Sequence, residues 1–238
     1  MTAPDGRPAP RRARVARASL FVVLALALSV ALVPGPARAQ TPAPSPTAGP
    51  PLSVGVVVDV SASTREHYVR QNVKTLLRLL SDFVKEGDPR NEFFFVGAGT
   101  EPVLLAEWGG PESSVRAISK IRDLKPVGAT ALFDACYVSA EKVAAGRNPR
   151  KALVVFSDGL DTISLLPERD VLAQLRAKQV PVFAVTIGDP AAPDKHTARG
   201  RAALDRLAAQ AGGAAFHPRK AQDFEAAFKD LAAKLRQP

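Results

Sequence analysis

Leu52-Ser53-Val54-Gly55-Val56-Val57-Val58-Asp59-Val60-Ser61-Ala62-Ser63 (residues 52–63) is a nearly continuous apolar run that ends abruptly in a carboxylate and two hydroxyls. A run of this kind, short and without polar alternation, is expected of a central parallel strand covered on both faces. Beyond it Val69, Val73, Leu76, Leu77, Leu80 and Val84 recur at helical spacing, which predicts an amphipathic helix ending near Gly87-Asp88-Pro89. The oxygen-bearing residues therefore fall at the carboxyl end of a buried strand, just before a helix.

The same alternation continues along the chain. Glu92 to Val96 and Pro102 to Trp108 flank Gly97-Ala98-Gly99-Thr100, a Gly-rich tight connection that predicts a hairpin and so one antiparallel strand. Pro102 belongs at a sheet edge, because it has no N–H to give to a ladder. A short helix from Pro111 to Leu124, a loop reaching Thr130 and a helix to about Ala145 follow. Lys151 to Phe156, Val182 to Ile187 and Ala214 to Phe216 read as strands, separated by helices over Pro167 to Lys178 and Ala198 to Ala211. A last helix carries Phe224, Phe228, Leu231 and Leu235 on one face. These elements predict a three-layer α/β sandwich with a mostly parallel sheet and one antiparallel edge strand.

Residues 1–39 have the pattern of a signal peptide. Arg11, Arg12, Arg14 and Arg17 precede an apolar run from Ala18 to Val33, and Ala37-Arg38-Ala39 gives the small-x-small cleavage pattern before Gln40. The chain is accordingly expected to be exported, periplasmic or extracellular, with membrane attachment only if that segment is retained as an anchor. Residues 40–51, rich in Pro, Ser and Thr, read as an extended spacer. The net charge of +9 suggests nucleic acid until it is divided: residues 1–39 hold six Arg and one Asp, leaving 26 basic against 22 acidic residues. No basic stripe with interleaved aromatics remains, so nucleic acid is not an expected partner. Cys136, the single cysteine, excludes an intrachain disulfide and reads as a small buried apolar residue.

Gly128-Ala129-Thr130 and Ser157-Asp158-Gly159 repeat what residues 59–63 do: each sets oxygen donors at a strand's carboxyl end or in the loop beside it. Ligands of open parallel sheets bind at that edge, where strand order reverses. If the strands beginning at Leu52 and Lys151 are neighbours there, Asp59 and Asp158 face one crevice, with Ser61, Ser63 and Thr130 supplying hydroxyls. Such oxygens suit Mg²⁺, or Mn²⁺ or Ca²⁺ in its place, better than zinc. Each piece also has a bland explanation. Ser63 and Glu66 have capping-box spacing, Thr130 precedes a helix whose first turn holds Asp134, and Ser157-Asp158-Gly159 suits a turn. Capping explains neither Asp59 nor Ser61. Asp161 reads as a solvated loop carboxylate, His67, His196 and His217 as surface or helix residues, and Trp108 as a packing residue.

Asp59-Val60-Ser61-Ala62-Ser63, with Thr130 in Gly128-Ala129-Thr130-Ala131-Leu132 and Asp158 in Ser157-Asp158-Gly159, resembles the metal-ion-dependent adhesion site of von Willebrand factor type A domains. The resemblance covers residues 52 to about 236 and is nearest to bacterial exported members; with the signal-peptide and spacer readings, the chain divides into segments 1–39, 40–51 and 52–238. It implies that Ser61, Ser63 and Thr130 touch the ion, that Asp59 and Asp158 act through water, and that a partner protein's Asp or Glu takes the remaining position. Ala62 and Thr64 stand where many relatives carry glycine and methionine. The expected function is Mg²⁺-dependent protein binding without enzymatic activity. The alternatives are a metal-dependent hydrolase on a related sheet, which commonly needs a second carboxylate where Ser61 stands, and a structural subunit of an exported assembly.

Overall fold

The computed structural model describes residues 49–65, 67–188, 195–220 and 222–237. The signal-peptide segment, most of the spacer and Glu66 lie outside the described residues. Six strands form one sheet: β1 (Leu52–Asp59), β2 (Glu92–Ala98), β3 (Pro102–Gly109), β4 (Arg150–Ser157), β5 (Val182–Thr186) and β6 (Ala214–Phe216). Their spatial order is β3-β2-β1-β4-β5-β6, parallel except for the antiparallel edge strand β3. The hairpin turn is tighter than the sequence reading placed it, since Gly97 and Ala98 still belong to β2 and pair with Val103 and Pro102.

Every residue of β1 and β2 is buried, because both sheet faces are covered. One layer is built from α1 (His67–Glu86), α2 (Pro111–Arg122) and α6 (Asp223–Arg236). There Leu76, Leu80, Ile118, Phe224 and Leu231 pack on Val54, Val56 and Val58. The other layer holds α3 (Leu132–Ala144), α4 (Glu168–Lys178) and α5 (Lys195–Gln210), with Leu132, Val171, Leu175 and Leu204 against Val57, Phe94 and Val155. Cys136 lies in this second core, wholly buried. Trp108 packs edge-on against Phe94, centroids 4.6 Å apart.

Polar side chains at the amino edge of the sheet fix its register. Ser53 Oγ donates to Glu92 Oε1 (2.6 Å), Leu52 N to Asn91 Oδ1 (2.8 Å), and Asn148 Nδ2 to the carbonyls of Leu52 and Arg90 (both 3.0 Å). Ser53 thus pairs with Glu92 on β2 and Lys151 on β4. Strand order reverses between β1 and β4, which places the carboxyl ends of those two strands side by side.

Candidate metal centre

Asp59 is the last residue of β1 and is only 2% exposed. Its Oδ1 accepts the backbone N–H of Ser61 (3.0 Å) and its Oδ2 accepts Ser157 Oγ from the neighbouring strand (2.8 Å). Burial, reinforced by the negative charge of Asp158, pushes its carboxyl up to about 6. No cationic side chain among the described residues acts on it. Such a group is costly to ionise unless a positive charge is brought to it.

The chain turns directly after Asp59 through a short 3-10 turn, Ala62–Arg65. This turn brings Ser61 Oγ and Ser63 Oγ within 3.0 Å of each other, and Ser63 Oγ donates to Asp158 Oδ2 (3.2 Å). The Ser63 hydroxyl therefore reaches 95 residues along the chain, while Thr64 bonds locally, its Oγ1 donating to the Ser61 carbonyl (2.8 Å). Asp158 follows β4, and its Oδ1 accepts the N–H of Leu160 (2.9 Å). Gly159, at φ +84°, completes the turn where α5 crosses it: a Cβ on Gly159 would lie 2.1 Å from the Gly200 carbonyl oxygen, and one on Gly200 would lie 2.2 Å from that of Asp158.

Thr130 arrives by backbone contacts. Ala62 N donates to the Gly128 carbonyl (2.9 Å), Val127 N to that of Val60 (3.0 Å), and Ala131 N to that of Gly99 (2.7 Å). Thr130 itself exchanges three bonds with Thr162, four residues past Asp158: its N–H donates to Thr162 Oγ1 (2.9 Å), and its carbonyl accepts from Thr162 N (2.9 Å) and Thr162 Oγ1 (3.4 Å). The capping explanation of Thr130 fails here. Residue Ala131 caps α3, without a side-chain bond, and the loop after β4 satisfies the helix's first N–H groups instead. Asp161 Oδ1 accepts Phe133 N (3.1 Å) and Ser164 Oγ accepts Asp134 N (3.1 Å), while Asp134 accepts the N–H groups of Leu165 and Leu166. Asp161 is thus not the solvated loop carboxylate expected from sequence; a helix terminus left short of acceptors has recruited it.

Asp59, Ser61, Ser63 and Asp158 form one hydrogen-bonded group, and Thr130 sits buried in the loop laced to it. Sequence reading missed Ser157, Thr162 and Gly200 as supports. Ser157 was legible as the neighbour of Asp158 and Gly200 as a glycine inside a helical pattern; Thr162 carried no signal. His217 also departs from expectation. It follows β6, part-buried, with Nδ1 2.6 Å from Thr186 Oγ1 and Nε2 2.8 Å from Asp205 Oδ1. Thr186, 1% exposed at the end of β5, makes this chain of bonds a clasp between β5, β6 and α5, with no hydroxyl open to a substrate.

The donor set fits a hard divalent cation: two carboxylates, three neutral hydroxyls, and among the described residues no grouping of three or more His, Cys, Asp or Glu. The model of the von Willebrand factor type A domain matches residues 53–233. The chain belongs to that family. No curated protein matches this type A domain in sequence. Among solved structures it is similar to a variant of the PilB minor pilin from Streptococcus sanguinis (12% identity, TM-score 0.62, covering 81% of this chain and 63% of the pilin). A von Willebrand factor type A protein from Catenulispora acidiphila is also similar (15%, 0.60, 79% and 43%). So is the pilus adhesin SpaC from Lactobacillus rhamnosus GG (14%, 0.60, 79% and 31%). The chain thus spans less than two thirds of the length of these relatives, and at such identities the likeness is one of fold.

Proposed function

We propose that this type A domain is an exported, non-enzymatic protein-binding module that takes an acidic residue of its partner as a ligand to a bound Mg²⁺. One observation supports the reading: Ser63 donates its hydroxyl to Asp158, 95 residues away, beside the buried Asp59, and Thr130 lies in a loop bonded to the same turn without being needed as a helix cap. Ser61, Ser63 and Thr130 would hold the ion directly, with Asp59 and Asp158 behind water. The ion, once bound, supplies a Lewis-acidic position that a carboxylate can fill, because the hydroxyl ligands leave its charge largely unneutralised. The pilins and adhesins that share the fold support an adhesive or scaffolding role.

The test is affinity capture by the full chain from native extracts, with Mg²⁺ and then with chelator, followed by calorimetric Mg²⁺ titration. Capture is expected to require Mg²⁺ and to vanish in Thr130→Ala while the fold survives. Binding indifferent to chelator would overturn the proposal, and a melting temperature raised by Mg²⁺ with no gain in capture would assign the ion a structural role instead.

A further inference from the structure

The large apolar side chains that remain exposed are not spread evenly over the surface. Among the described residues, four of the seven, Leu124, Val127, Ile163 and Leu165, lie in the two loops beside the candidate metal centre. Leu165 is 92% exposed and Ile163 45%. One exposed leucine by itself needs no explanation. These two belong to a loop whose backbone is fixed.

The loop starts at Asp158. Thr162 is bonded to Thr130 through both its N–H and its Oγ1, and Ile163 follows it directly. Ser164 Oγ then accepts Asp134 N and donates to Asp161, while Leu165 N and Leu166 N donate to the Asp134 carboxylate (2.9 and 3.0 Å). Leu166 packs against the second core, whereas Leu165 stays in water. The loop cannot fold Leu165 inward without breaking bonds that complete the first turn of α3. The other loop is tied as closely: Val127 N donates to Val60 O and Gly128 O accepts Ala62 N, between Ser61 and Ser63. Fixed apolar side chains thus stand next to a polar crevice whose Ser63 is itself exposed.

We infer that the partner segment taken up at this crevice presents, about three residues from its acidic residue, a large apolar side chain that packs on Ile163 and Leu165. The inference rests on the metal-dependent reading proposed above. A lone carboxylate–Mg²⁺ contact would admit any dissolved carboxylate, acetate included. An apolar neighbour selects among acids, because it removes Leu165 from water and shields the carboxylate–ion pair from solvent. The spacing follows from reach: Leu165 stands three residues beyond Thr162, at most ~11 Å of chain, which an extended partner covers in about three residues. An acidic segment with only polar neighbours would gain nothing from this loop.

The experiment is a selection on the immobilised full chain in non-ionic detergent. The probe is a display library of short peptides with Asp or Glu at the centre and random flanks, bound in Mg²⁺ and released by chelator. Wild type is expected to recover peptides enriched in Leu, Ile or Phe about three residues from the acid. A synthetic peptide of the recovered consensus, followed by fluorescence anisotropy, is expected to bind Leu165→Ser about tenfold more weakly than wild type. Calorimetric Mg²⁺ affinity should be the same in both chains. Leu165 is almost fully exposed, so the replacement removes no buried contact. Leu104→Ser, at an exposed position on the edge strand β3, is the control and should bind the peptide as wild type does. Recovered acidic peptides with no apolar preference, or equal affinity for wild type and Leu165→Ser, would overturn the inference and leave the metal reading standing. Recovery of no peptide by chelator would overturn the metal reading, and the inference with it.

Discussion

Asp59 concentrates the physics of the site in one side chain. Folding buries it beside Asp158, which raises its pKa from 3.8 to about 6. Above that value, at neutral pH, the ionised form is what the metal-free fold must hold, so the shift acts there as a destabilisation. Asp59→Asn keeps the shape without the charge. In chelator at pH 7.5 it is expected to stabilise the chain by about 2 kcal/mol, a rise in Tm of about 5 °C by scanning calorimetry. The same variant should lose the gain in Tm that the proposed Mg²⁺ site is expected to give wild type. Cys136 is the opposite case, a wholly buried residue packed in the second core. Burial pushes its thiol up to about 12, so a thiol reagent at pH 8 should leave it unmodified in the native chain and label it after denaturation.

Among the elements, α5 and the turn after β4 meet backbone to backbone at Gly200 and Asp158. Gly200→Ala must separate them, because the new Cβ would meet the Asp158 carbonyl oxygen. Overpacking of this kind costs about 2 kcal/mol. Here it should also weaken Mg²⁺ binding measured by calorimetry, since the turn carries Asp158. Gly110→Ala, at a position with nothing within 4 Å, is the matching control and should leave both quantities unchanged. The amino edge of the sheet behaves differently. Asn148→Ala leaves the buried carbonyls of Leu52 and Arg90 without their donor, which is expected to cost about 2 kcal/mol in chemical denaturation. Mg²⁺ affinity should survive it, because Asn148 stands at the far end of β1 from Asp59.

For the molecule as a whole, the sheet is held by two apolar cores, one on each face, while the crevice is built from loops at its carboxyl edge. Mg²⁺ is therefore expected to slow hydrogen exchange in residues 60–65, 127–131 and 158–164 and to leave exchange in β1, β2 and β4 nearly unchanged. Protection spreading through the strands would mean that the ion stabilises the fold itself.

The sequence by itself determined the layers and the edge position of β3, and it singled out Asp59, Ser61, Ser63 and Asp158, which the fold joins in one hydrogen-bonded group. Hydrophobic periodicity records which faces must be buried, as in Val69 to Val84 of α1, and a polar residue that interrupts an apolar strand, as Asp59 does, marks where that strand meets solvent or a ligand. Only the tertiary structure decided what those residues bond to. Whether Thr130 caps a helix or is spared for the crevice depends on Asp161 and Ser164 arriving from another loop, and the need for Gly200 arises only because Asp158 passes beneath it. Contacts of this kind are set by how strands and helices pack, and local sequence pattern carries no term for a neighbour that the chain has yet to bring into place.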